Sequence, residues 1–344
     1  MIESKFMYLV MGEKCNLDCK YCKQHKNGIK KETLSDENLS ILTEYIREQA
    51  EREGFYKIMF YGGEPLIYWE EILRVIRATK EIEGLRYGMV TNALLLDEEK
   101  IEVIKSLEGK FTFAVSWDGR NSTKSRGFDA WKERKEVLKK TPYMSTISGV
   151  LSTENYIKDY LDDCEELIEE YAEAQGIIPS IVIETITSNM PNEKVAYVDY
   201  ENLTRQSEEI WKEYLKGDKL AVNAYMENIF DKIKRKEDKY SGPDCGCCGT
   251  GVIDVDLSLN IYSCHCFFNE KKIGAWNTPE IELEKHFKPY LDRHFKRYTD
   301  KCHNCPIEAI CDSGCTMLIK ENMDVYCATQ KARYMPIIEG IFNS

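Results

Sequence analysis

The feature of this sequence that most constrains its fold is an alternation of short apolar runs with longer amphipathic stretches. The runs predict β-strands at Phe6–Met11, Lys57–Tyr61, Tyr87–Thr91, Phe111–Ser116, Ile147–Ser152 and Ile181–Thr185. The stretches between them, mostly rich in Glu, Lys, Leu and Ala, predict helices at Asp36–Glu53, Trp69–Lys80, Asp97–Lys105, Asp129–Lys140 and Ile157–Glu173. Strands that alternate with helices form a parallel sheet with helical crossovers, so we expect an α/β fold, a partial (β/α)6 TIM-like barrel.

Composition and charge argue against several kinds of partner. The 344 residues carry a net charge of −12, whereas nucleic-acid and anionic membrane surfaces need concentrated Lys and Arg. The sequence has no uncharged apolar stretch of about eighteen residues, and Met1–Lys5 lacks the apolar stretch of a signal peptide. We therefore expect a cytoplasmic protein with neither nucleic acid nor membrane as partner. In a reducing compartment, 14 cysteines predict metal ligands or catalytic thiols rather than disulfides.

Three cysteines follow the first predicted strand in a C-x3-C-x2-C pattern, at Cys15, Cys19 and Cys22. A [4Fe–4S] cluster held by three cysteines keeps one iron open for a substrate or cosubstrate, while an electron-carrying cluster usually has four protein ligands. The alternative is a zinc knuckle, because C-x2-C spacing also suits tetrahedral zinc.

A second motif, Gly62-Gly63-Glu64-Pro65, follows the second predicted strand. Together with the triplet and the aromatic Tyr21 before Cys22, it resembles the radical S-adenosylmethionine (SAM) enzymes. The resemblance implies that the open iron chelates SAM, that the glycines allow close approach to its methionine moiety, and that Glu64 accepts hydrogen bonds from its ammonium group. It also implies a set of further SAM contacts, at Tyr21, Asn92, Ser116 and Arg126. Ordinary strand-end capping is the alternative for Asn92 and Ser116, and the run around Arg126 aligns only loosely.

Cysteines return near the carboxyl terminus in a C-x2-C-x5-C-x3-C array with a trailing cysteine. This array resembles the SPASM domain of radical SAM enzymes that mature peptides and proteins, with a zinc ribbon as the alternative. The resemblance implies two auxiliary [4Fe–4S] clusters, and therefore three clusters in all. The first would take Cys248, Cys264 and Cys315, with Cys245 as the fourth ligand, and the second would take Cys302, Cys305, Cys311 and Cys327.

The same reasoning predicts a division of the chain into three parts. Residues 1–199 would form the radical SAM barrel, 200–240 a helical bridge, and 241–344 a small cysteine-rich α+β SPASM domain with a C-terminal helix. A hairpin-like stretch is expected from Cys248 to Cys264.

Several residues near the first auxiliary set depart from the family pattern. Leu259 stands where the hairpin usually carries glycine, and His265 where sulfatase-maturating members have an aspartate. His265 could act as a general base or be a solvent-exposed bystander. Cys247 and Cys266 could replace Cys245 as a ligand, donate a hydrogen atom, or do neither.

The resemblance implies a peptide maturase that cleaves SAM to a 5′-deoxyadenosyl radical and abstracts hydrogen from a ribosomally made precursor peptide. A thioether or carbon–carbon crosslink is the expected product. The alternatives are sulfatase maturation, peptide epimerisation, a small-molecule alcohol dehydrogenase of the same superfamily, and an iron–sulfur scaffold or electron carrier. We expect a monomer reduced by flavodoxin or ferredoxin, with no room for an N-terminal leader-recognition domain. Leader recognition would then come from the bridge helices, the C-terminal domain or a separate protein.

Overall fold

The computed structural model gives the conformation of most of the chain. It describes residues 4–22, 32–186, 198–234, 245–247, 250–267, 272–297, 301–311 and 314–343. No helix within those ranges is long and apolar enough to cross a membrane.

The strands and helices follow the predicted alternation. The strands are β1 Phe6–Val10, β2 Tyr56–Tyr61, β3 Leu85–Thr91, β4 Phe111–Ser116, β5 Met144–Leu151, β6 Ser180–Thr185, β7 Val252–Asp256, β8 Asn260–Tyr262 and β9 Lys272–Ala275. The helices are α1 Asp36–Glu53, α2 Trp69–Thr79, α3 Glu98–Lys105, α4 Ser122–Arg126, α5 Ala130–Lys140, α6 Ile157–Gln175, α7 Tyr200–Tyr214, α8 Leu220–Lys234, α9 Glu280–Arg297 and α10 Met323–Asn343. All six predicted strands are present, and the fold class is confirmed. Sequence reasoning missed α4, β9 and α9.

The chain divides into two compact units that interleave along the sequence. One unit comprises Met1–Ser116, Glu136–Met144 and Cys245–Pro289, and the other comprises Trp117–Lys135, Ser145–Asp244 and Tyr290–Ser344. These units differ from the predicted division at residues 199 and 240, which follows changes in composition along the chain.

The first unit is built on strands in the order β4-β3-β2-β1-β7-β8-β9. Strands β1 to β4 pair in parallel, as helical crossovers require. Its core includes the stacked rings of Phe60, Tyr87 and Phe111, whose centroids are 6.2 Å apart and whose side chains are fully buried. Aromatic rings from three neighbouring strands therefore hold this part of the sheet together.

Strand β7 adds a parallel neighbour on the other side of β1, which sequence reasoning did not predict. The register pairs Tyr8 of β1 with both Met59 of β2 and Asp254 of β7. Strand β8 then returns antiparallel to β7, which confirms the predicted hairpin. Leu259, in the turn between β7 and β8, adopts a left-handed backbone conformation with a φ of 60° although it is not glycine. This pairing brings the residues around Cys264 into the same unit as the cysteine triplet.

The second unit contains the parallel pair β5 and β6, and α10 packs against α7. The stretch from Tyr200 onward is helical as predicted and forms α7 and α8, which both belong to this unit, and its role as a bridge between domains stays a prediction. Within this unit the buried Arg333 of α10 donates to the Ile183 carbonyl oxygen and to the Tyr225 hydroxyl, each at 2.9 Å. These bonds give the buried guanidinium of Arg333 hydrogen-bond acceptors in place of water.

Candidate active site

Four segments of the first unit carry most of the predicted SAM-binding residues. Cys15 lies beyond the end of β1 and Gly62 directly follows β2, while Asn92 follows β3 and Ser116 ends β4. Because these strands run in parallel, their carboxyl ends share one edge of the sheet. The structure therefore brings these four predicted positions to one rim.

The glycines of the second motif hold the two neighbouring loops in close contact. Gly63 N–H donates to the Gly12 carbonyl oxygen at 2.9 Å, and Glu64 N–H donates to the Lys14 carbonyl oxygen at 3.0 Å. A Cβ atom on Gly62 would lie 2.5 Å from the Gly12 oxygen, and one on Gly63 would lie 2.4 Å from the Lys14 oxygen. Gly62 also has a φ of 138°, which favours glycine. Glycine is therefore required here so that the loop after β2 can dock against the cysteine loop.

Glu64 is the polar centre of this rim. One carboxylate oxygen accepts from the Leu66 backbone at 3.0 Å and from the Thr91 hydroxyl at 2.7 Å. The other accepts from the Asn92 backbone N–H at 2.8 Å. Glu64 also caps the short 3₁₀ helix Pro65–Tyr68, whose first residue is proline, as is common at helix starts. The carboxylate is thus held in one orientation at the end of the sheet.

Electrostatics make Glu64 an unusual carboxylate. The residue is 1% exposed. Burial raises its pKa to about 7, although the three hydrogen bonds that it accepts favour the charged form. A cation placed beside this carboxylate would stabilise its ionised form, so the site is suited to a positively charged or amino ligand.

The cysteine triplet lies in an ordered loop. The Cys15 thiol accepts from the Leu17 backbone at 3.4 Å, and Cys22 N–H donates to the Cys19 carbonyl oxygen at 3.0 Å. The Asn92 amide donates to the side-chain oxygen of Asn16 at 2.9 Å. The loop is therefore tied both internally and to the end of β3.

Three thiols in one loop fit a cluster with one open iron. All three are partly exposed, and burial raises the pKa of Cys15 to about 12, so it is protonated until a metal binds. Metal binding would then release protons, because thiolates are the ligands. Tyr21 is partly buried directly before Cys22.

Arg126, the remaining predicted SAM contact, lies in the second unit. Its guanidinium contacts both carboxylate oxygens of Asp118 at 3.1 Å, and Asp118 is fully buried. Asp118 also accepts from the Val150 backbone at 3.0 Å and from the Ser125 hydroxyl at 2.6 Å. This ion pair gives Arg126 a structural partner that sequence reasoning missed, and its contact with SAM remains a prediction.

A second group of metal-binding side chains lies in the first unit. The ligand atoms of Cys247, Cys264 and His265 all lie within 4.8 Å of one another, and all three residues are buried. Interactions with the Cys245 and Cys264 side chains, together with burial, raise the pKa of the Cys247 thiol well above its usual value. Cys248, predicted as a ligand, lies outside the described residues. Cys247, which sequence reasoning left out of the main ligand set, is thus at the centre of this group.

His265 is held on several sides. Its Nδ1 lies 3.1 Å from a carboxylate oxygen of Asp254, and its ring stacks on Tyr8 with centroids 3.6 Å apart. Tyr61 packs edge-on against the same ring at 4.7 Å, and the Tyr61 hydroxyl lies 3.7 Å from the Cys266 thiol. With 9% of its surface exposed, His265 is not a solvent-exposed bystander, so that alternative is wrong.

The charges around His265 oppose its burial. Burial lowers the pKa of the imidazole, but its interactions with the Cys266 side chain and with the Asp254 carboxylate raise that pKa above its usual value. A histidine with such a neighbour can serve as a base or as a metal ligand. Sequence reasoning missed Asp254, Tyr8 and Tyr61, because only the pairing of β7 with β1 brings them to His265.

The C-terminal cysteines lie in the second unit. Burial raises the pKa of Cys302 to about 11, and the nearby Cys327 and Cys305 add to the increase. Cys327, the last cysteine of the array, lies on α10. Arg297 donates to the Cys315 carbonyl oxygen at 2.7 Å. Cys305 and Cys327 thus lie close enough to Cys302 to affect its pKa, and the binding of one cluster by these three residues and Cys311 stays a prediction.

Comparison with known proteins agrees with this geometry. Residues 9–142 match the family model of the radical SAM superfamily. Over 180 residues the chain is 27% identical to the radical SAM cyclopropyl synthase TigE of Paramaledivibacter caminithermalis, covering 46% of this chain and 37% of that protein. Over 141 residues it is 32% identical to the GTP 3′,8-cyclase of Clostridium botulinum, covering 39% of this chain and 42% of that protein. The chain thus spans less than half the length of these curated relatives.

Solved structures resemble a larger part of the chain. The structure of native anSMEcpe with bound AdoMet and Cp18Cys peptide matches with a TM-score of 0.72 at 17% identity, covering 98% of both chains. Streptococcus suis SuiB bound to the precursor peptide SuiA matches with a TM-score of 0.61 at 18% identity, covering 92% of this chain and 73% of SuiB. At these identities the similarity establishes the fold.

Proposed function

We propose that this chain, whose residues 9–142 match the radical SAM superfamily, is an enzyme that uses SAM to modify a ribosomally made peptide. The observation that carries the proposal is the docking of the cysteine loop against the loop of Glu64, through Gly63 N–H to the Gly12 oxygen and Glu64 N–H to the Lys14 oxygen. This contact brings the loop that carries the three cysteines beside a buried, oriented carboxylate. It supports SAM binding more directly than any other feature of the chain.

The chain's own residues would bind and orient SAM. When bound, a [4Fe–4S] cluster and SAM together supply the reductive cleavage that yields a 5′-deoxyadenosyl radical able to abstract hydrogen. Cys15, Cys19 and Cys22 would hold the cluster, and Glu64 would accept from the amino group of SAM. The remaining SAM contacts would come from Tyr21, Gly62, Gly63, Pro65, Asn92, Ser116 and Arg126.

One observation supports a peptide substrate, and a second supports an oxidative product. The fold resembles that of anSMEcpe, solved with AdoMet and the Cp18Cys peptide, and that of SuiB, solved with the precursor peptide SuiA. The chain also carries two cysteine groups beyond the triplet, one around Cys264 and one around Cys302. Forming a thioether or carbon–carbon crosslink removes electrons from the peptide, and further iron–sulfur centres can accept an electron. We therefore favour a crosslink as the product.

The predicted auxiliary ligands divide into two sets. The first set is Cys245, Cys248, Cys264 and Cys315, and the second is Cys302, Cys305, Cys311 and Cys327. Flavodoxin or ferredoxin would supply the electrons to a cytoplasmic monomer, and a separate protein could recognise the precursor's leader.

Epimerisation is the second candidate, because it needs a hydrogen-atom donor rather than an electron acceptor. The Cys266 thiol lies 3.7 Å from the Tyr61 hydroxyl, and Tyr61 directly precedes Gly62 at the rim. Cys266 is therefore the donor candidate that lies nearest the rim, although it also interacts with Cys264 and His265. Sulfatase maturation has less support, because His265 replaces the aspartate that the reaction would use.

The test uses the anaerobically reconstituted chain with SAM, dithionite and a perdeuterated candidate precursor peptide, sought among the open reading frames next to its gene. We expect deuterium in 5′-deoxyadenosine and a peptide that has lost two hydrogen atoms. Solvent hydrogen at Cα without such a mass loss would favour epimerisation. SAM cleavage with unlabelled deoxyadenosine and an unchanged peptide would contradict the proposed action on that peptide.

A further inference from the structure

Tyr68 joins the turn that carries Glu64 to the loop that carries the cysteine triplet. It is the last residue of the 3₁₀ helix Pro65–Tyr68, which Glu64 caps, and its side chain is fully buried. Its hydroxyl oxygen accepts a hydrogen bond from the Lys14 backbone N–H at 3.2 Å. Because Lys14 directly precedes Cys15, this bond is made at the start of the cysteine loop.

The backbone of Lys14 is held on both sides by this one turn. Its N–H group donates to the Tyr68 hydroxyl, and its carbonyl oxygen accepts from the Glu64 N–H at 3.0 Å. The two partners lie at opposite ends of the same short turn. A shift of the cysteine loop relative to Glu64 would therefore have to break at least one of these hydrogen bonds.

The backbone of Gly12 passes close to the ring of Tyr68. Gly12 has a φ of 138°, and a Cβ atom at this position would overlap the Tyr68 hydroxyl oxygen. Its carbonyl oxygen also accepts from the Gly63 N–H at 2.9 Å. Glycine at position 12 thus lets the cysteine loop approach the phenol closely enough for the Lys14 N–H to reach it.

The Tyr68 hydroxyl is a neutral hydrogen-bonding group. Burial raises the pKa of the phenol above its usual value, and the hydrogen bond from Lys14 only partly offsets this increase. The hydroxyl therefore brings no charge to the site, and its contribution is the position of the backbone that it holds.

The proposed binding of SAM requires two parts of the chain to reach one molecule. The open iron of a cluster held by the cysteine triplet would chelate SAM, and Glu64 would accept from its amino group. Such contacts need supporting residues that hold them to within about 0.5 Å. We propose that Tyr68 is a positioning residue of the SAM site, which fixes the cysteine loop against Glu64 so that both contacts reach the same molecule. The inference deepens the proposed function and rests on it, because it assigns a further residue to the same site.

Tyr68→Phe tests the proposal, because it removes only the hydroxyl. Tyr45→Phe is the matched control, because Tyr45 is also a buried tyrosine of the first unit and its hydroxyl bonds to the Ser4 hydroxyl at 2.7 Å. Both full-length variants are reconstituted anaerobically, and iron content, melting temperature and equilibrium binding of SAM to the unreduced protein are measured. Tyr68→Phe should keep its iron, melt close to Tyr45→Phe and bind SAM about two- to tenfold more weakly, as expected for the loss of one hydrogen bond. Tyr45→Phe should keep the affinity of the unmodified chain.

Two further measurements separate positioning from stability. In the chain without iron, hydrogen exchange at the Lys14 amide should be faster in Tyr68→Phe than in Tyr45→Phe, because only the first variant removes its acceptor. The second measurement uses S-adenosylhomocysteine with a ¹⁵N-labelled amino group, which keeps the amino acid part of SAM but has no sulfonium to cleave. After reduction, pulsed electron paramagnetic resonance should show a ¹⁵N coupling that Tyr68→Phe alters and Tyr45→Phe does not.

Three results would overturn the inference. The first is an unchanged SAM affinity and ¹⁵N coupling in Tyr68→Phe, and the second is an equal change in Tyr45→Phe. The third is a Tyr68→Phe chain that melts far below Tyr45→Phe or loses its iron, because Tyr68 would then serve stability alone. Failure of the proposed function would be seen as an absence of SAM cleavage or peptide modification by the unmodified chain, and none of these measurements uses either reaction.

Discussion

Glu64→Gln tests the electrostatic basis of the proposed SAM site. The change removes the negative charge while keeping the side-chain shape. A hydrogen bond assisted by that charge is worth about 1.5–3 kcal/mol, so SAM affinity should fall about ten- to a hundredfold at pH 8. One carboxylate oxygen accepts from the Leu66 backbone N–H at 3.0 Å and the other from the Asn92 backbone N–H at 2.8 Å, so either orientation of the new amide turns its N–H groups toward one of these donors. The variant therefore also loses one of the hydrogen bonds that orient this side chain.

The loss of affinity should depend on pH in a defined direction. Burial raises the pKa of Glu64 from 4.5 to about 7, which corresponds to about 3 kcal/mol against the charged form. Because the folded-state pKa is raised, the neutral acid stabilises the folded chain at low pH, and this contribution is lost as pH rises through 7. SAM should bind the ionised form. At pH 6 about nine in ten molecules carry a neutral Glu64 carboxyl. The ratio of the SAM affinity of the unmodified chain to that of Glu64→Gln should therefore be about tenfold smaller at pH 6 than at pH 8.

The assay is equilibrium binding of SAM to reconstituted, unreduced protein between pH 6 and pH 8, with iron content measured for each sample. Glu71→Gln is the matched control. Glu71 is also a buried carboxylate of the first unit, but it pairs with Arg74 on α2 at 2.6 Å, and its loss should not change the ratio of affinities. An equal loss of affinity for Glu64→Gln at both pH values, or no loss at either, would refute the reasoning.

Three other variants test separate parts of the structure. Gly63→Ala should destabilise the first unit by about 3 kcal/mol and prevent SAM binding, because the added Cβ would lie 2.4 Å from a backbone oxygen of the cysteine loop. Thermal melting and equilibrium binding measure these two effects. A melting temperature and a SAM affinity equal to those of the unmodified chain would contradict the docking of the Gly63 loop against the cysteine loop. Arg126→Lys should lower the free energy of unfolding, measured by denaturant titration, by about 1–3 kcal/mol. Lysine cannot contact both oxygens of the buried Asp118 as the guanidinium does. An unchanged free energy of unfolding would contradict a structural role for this ion pair. Cys305→Ala with Cys311→Ala should raise the ratio of deoxyadenosine to modified peptide, measured by chromatography, if the second centre accepts the substrate electron; an unchanged ratio would instead support a redox-neutral reaction.

Much of the barrel could be predicted because its signals are local. The strands β1 to β6 are apolar runs separated by amphipathic helices, and the rim motifs follow directly from strand ends. Glu64 and the cysteine triplet are adjacent to those ends in the sequence, so the parallel order of strands is enough to bring them together. The glycines were assigned to contact with SAM, whereas the structure gives them an additional role in docking the loop that carries Cys15.

The surroundings of His265 could not be predicted because they depend on contacts distant in sequence. Asp254 and Tyr8 are separated by most of the chain, and only the register of β7 on β1 makes them neighbours. Local patterning places Asp254 on a strand but gives no sign of which strand it will join. Cys247 was similarly ambiguous, because four residues, Cys245 to Cys248, include three cysteines and spacing alone could not rank them.

The most direct test of the account is SAM cleavage and iron content in the unmodified chain and in the variant with Cys15→Ala, Cys19→Ala and Cys22→Ala. The account predicts about twelve irons per chain, from three clusters of four, and formation of 5′-deoxyadenosine under dithionite. The triple variant should retain about eight irons and form no deoxyadenosine, because its remaining cysteine groups lie elsewhere in the chain. Deoxyadenosine formation by the triple variant, or an unmodified chain that binds only about four irons with zinc at the C-terminal cysteines, would contradict the account.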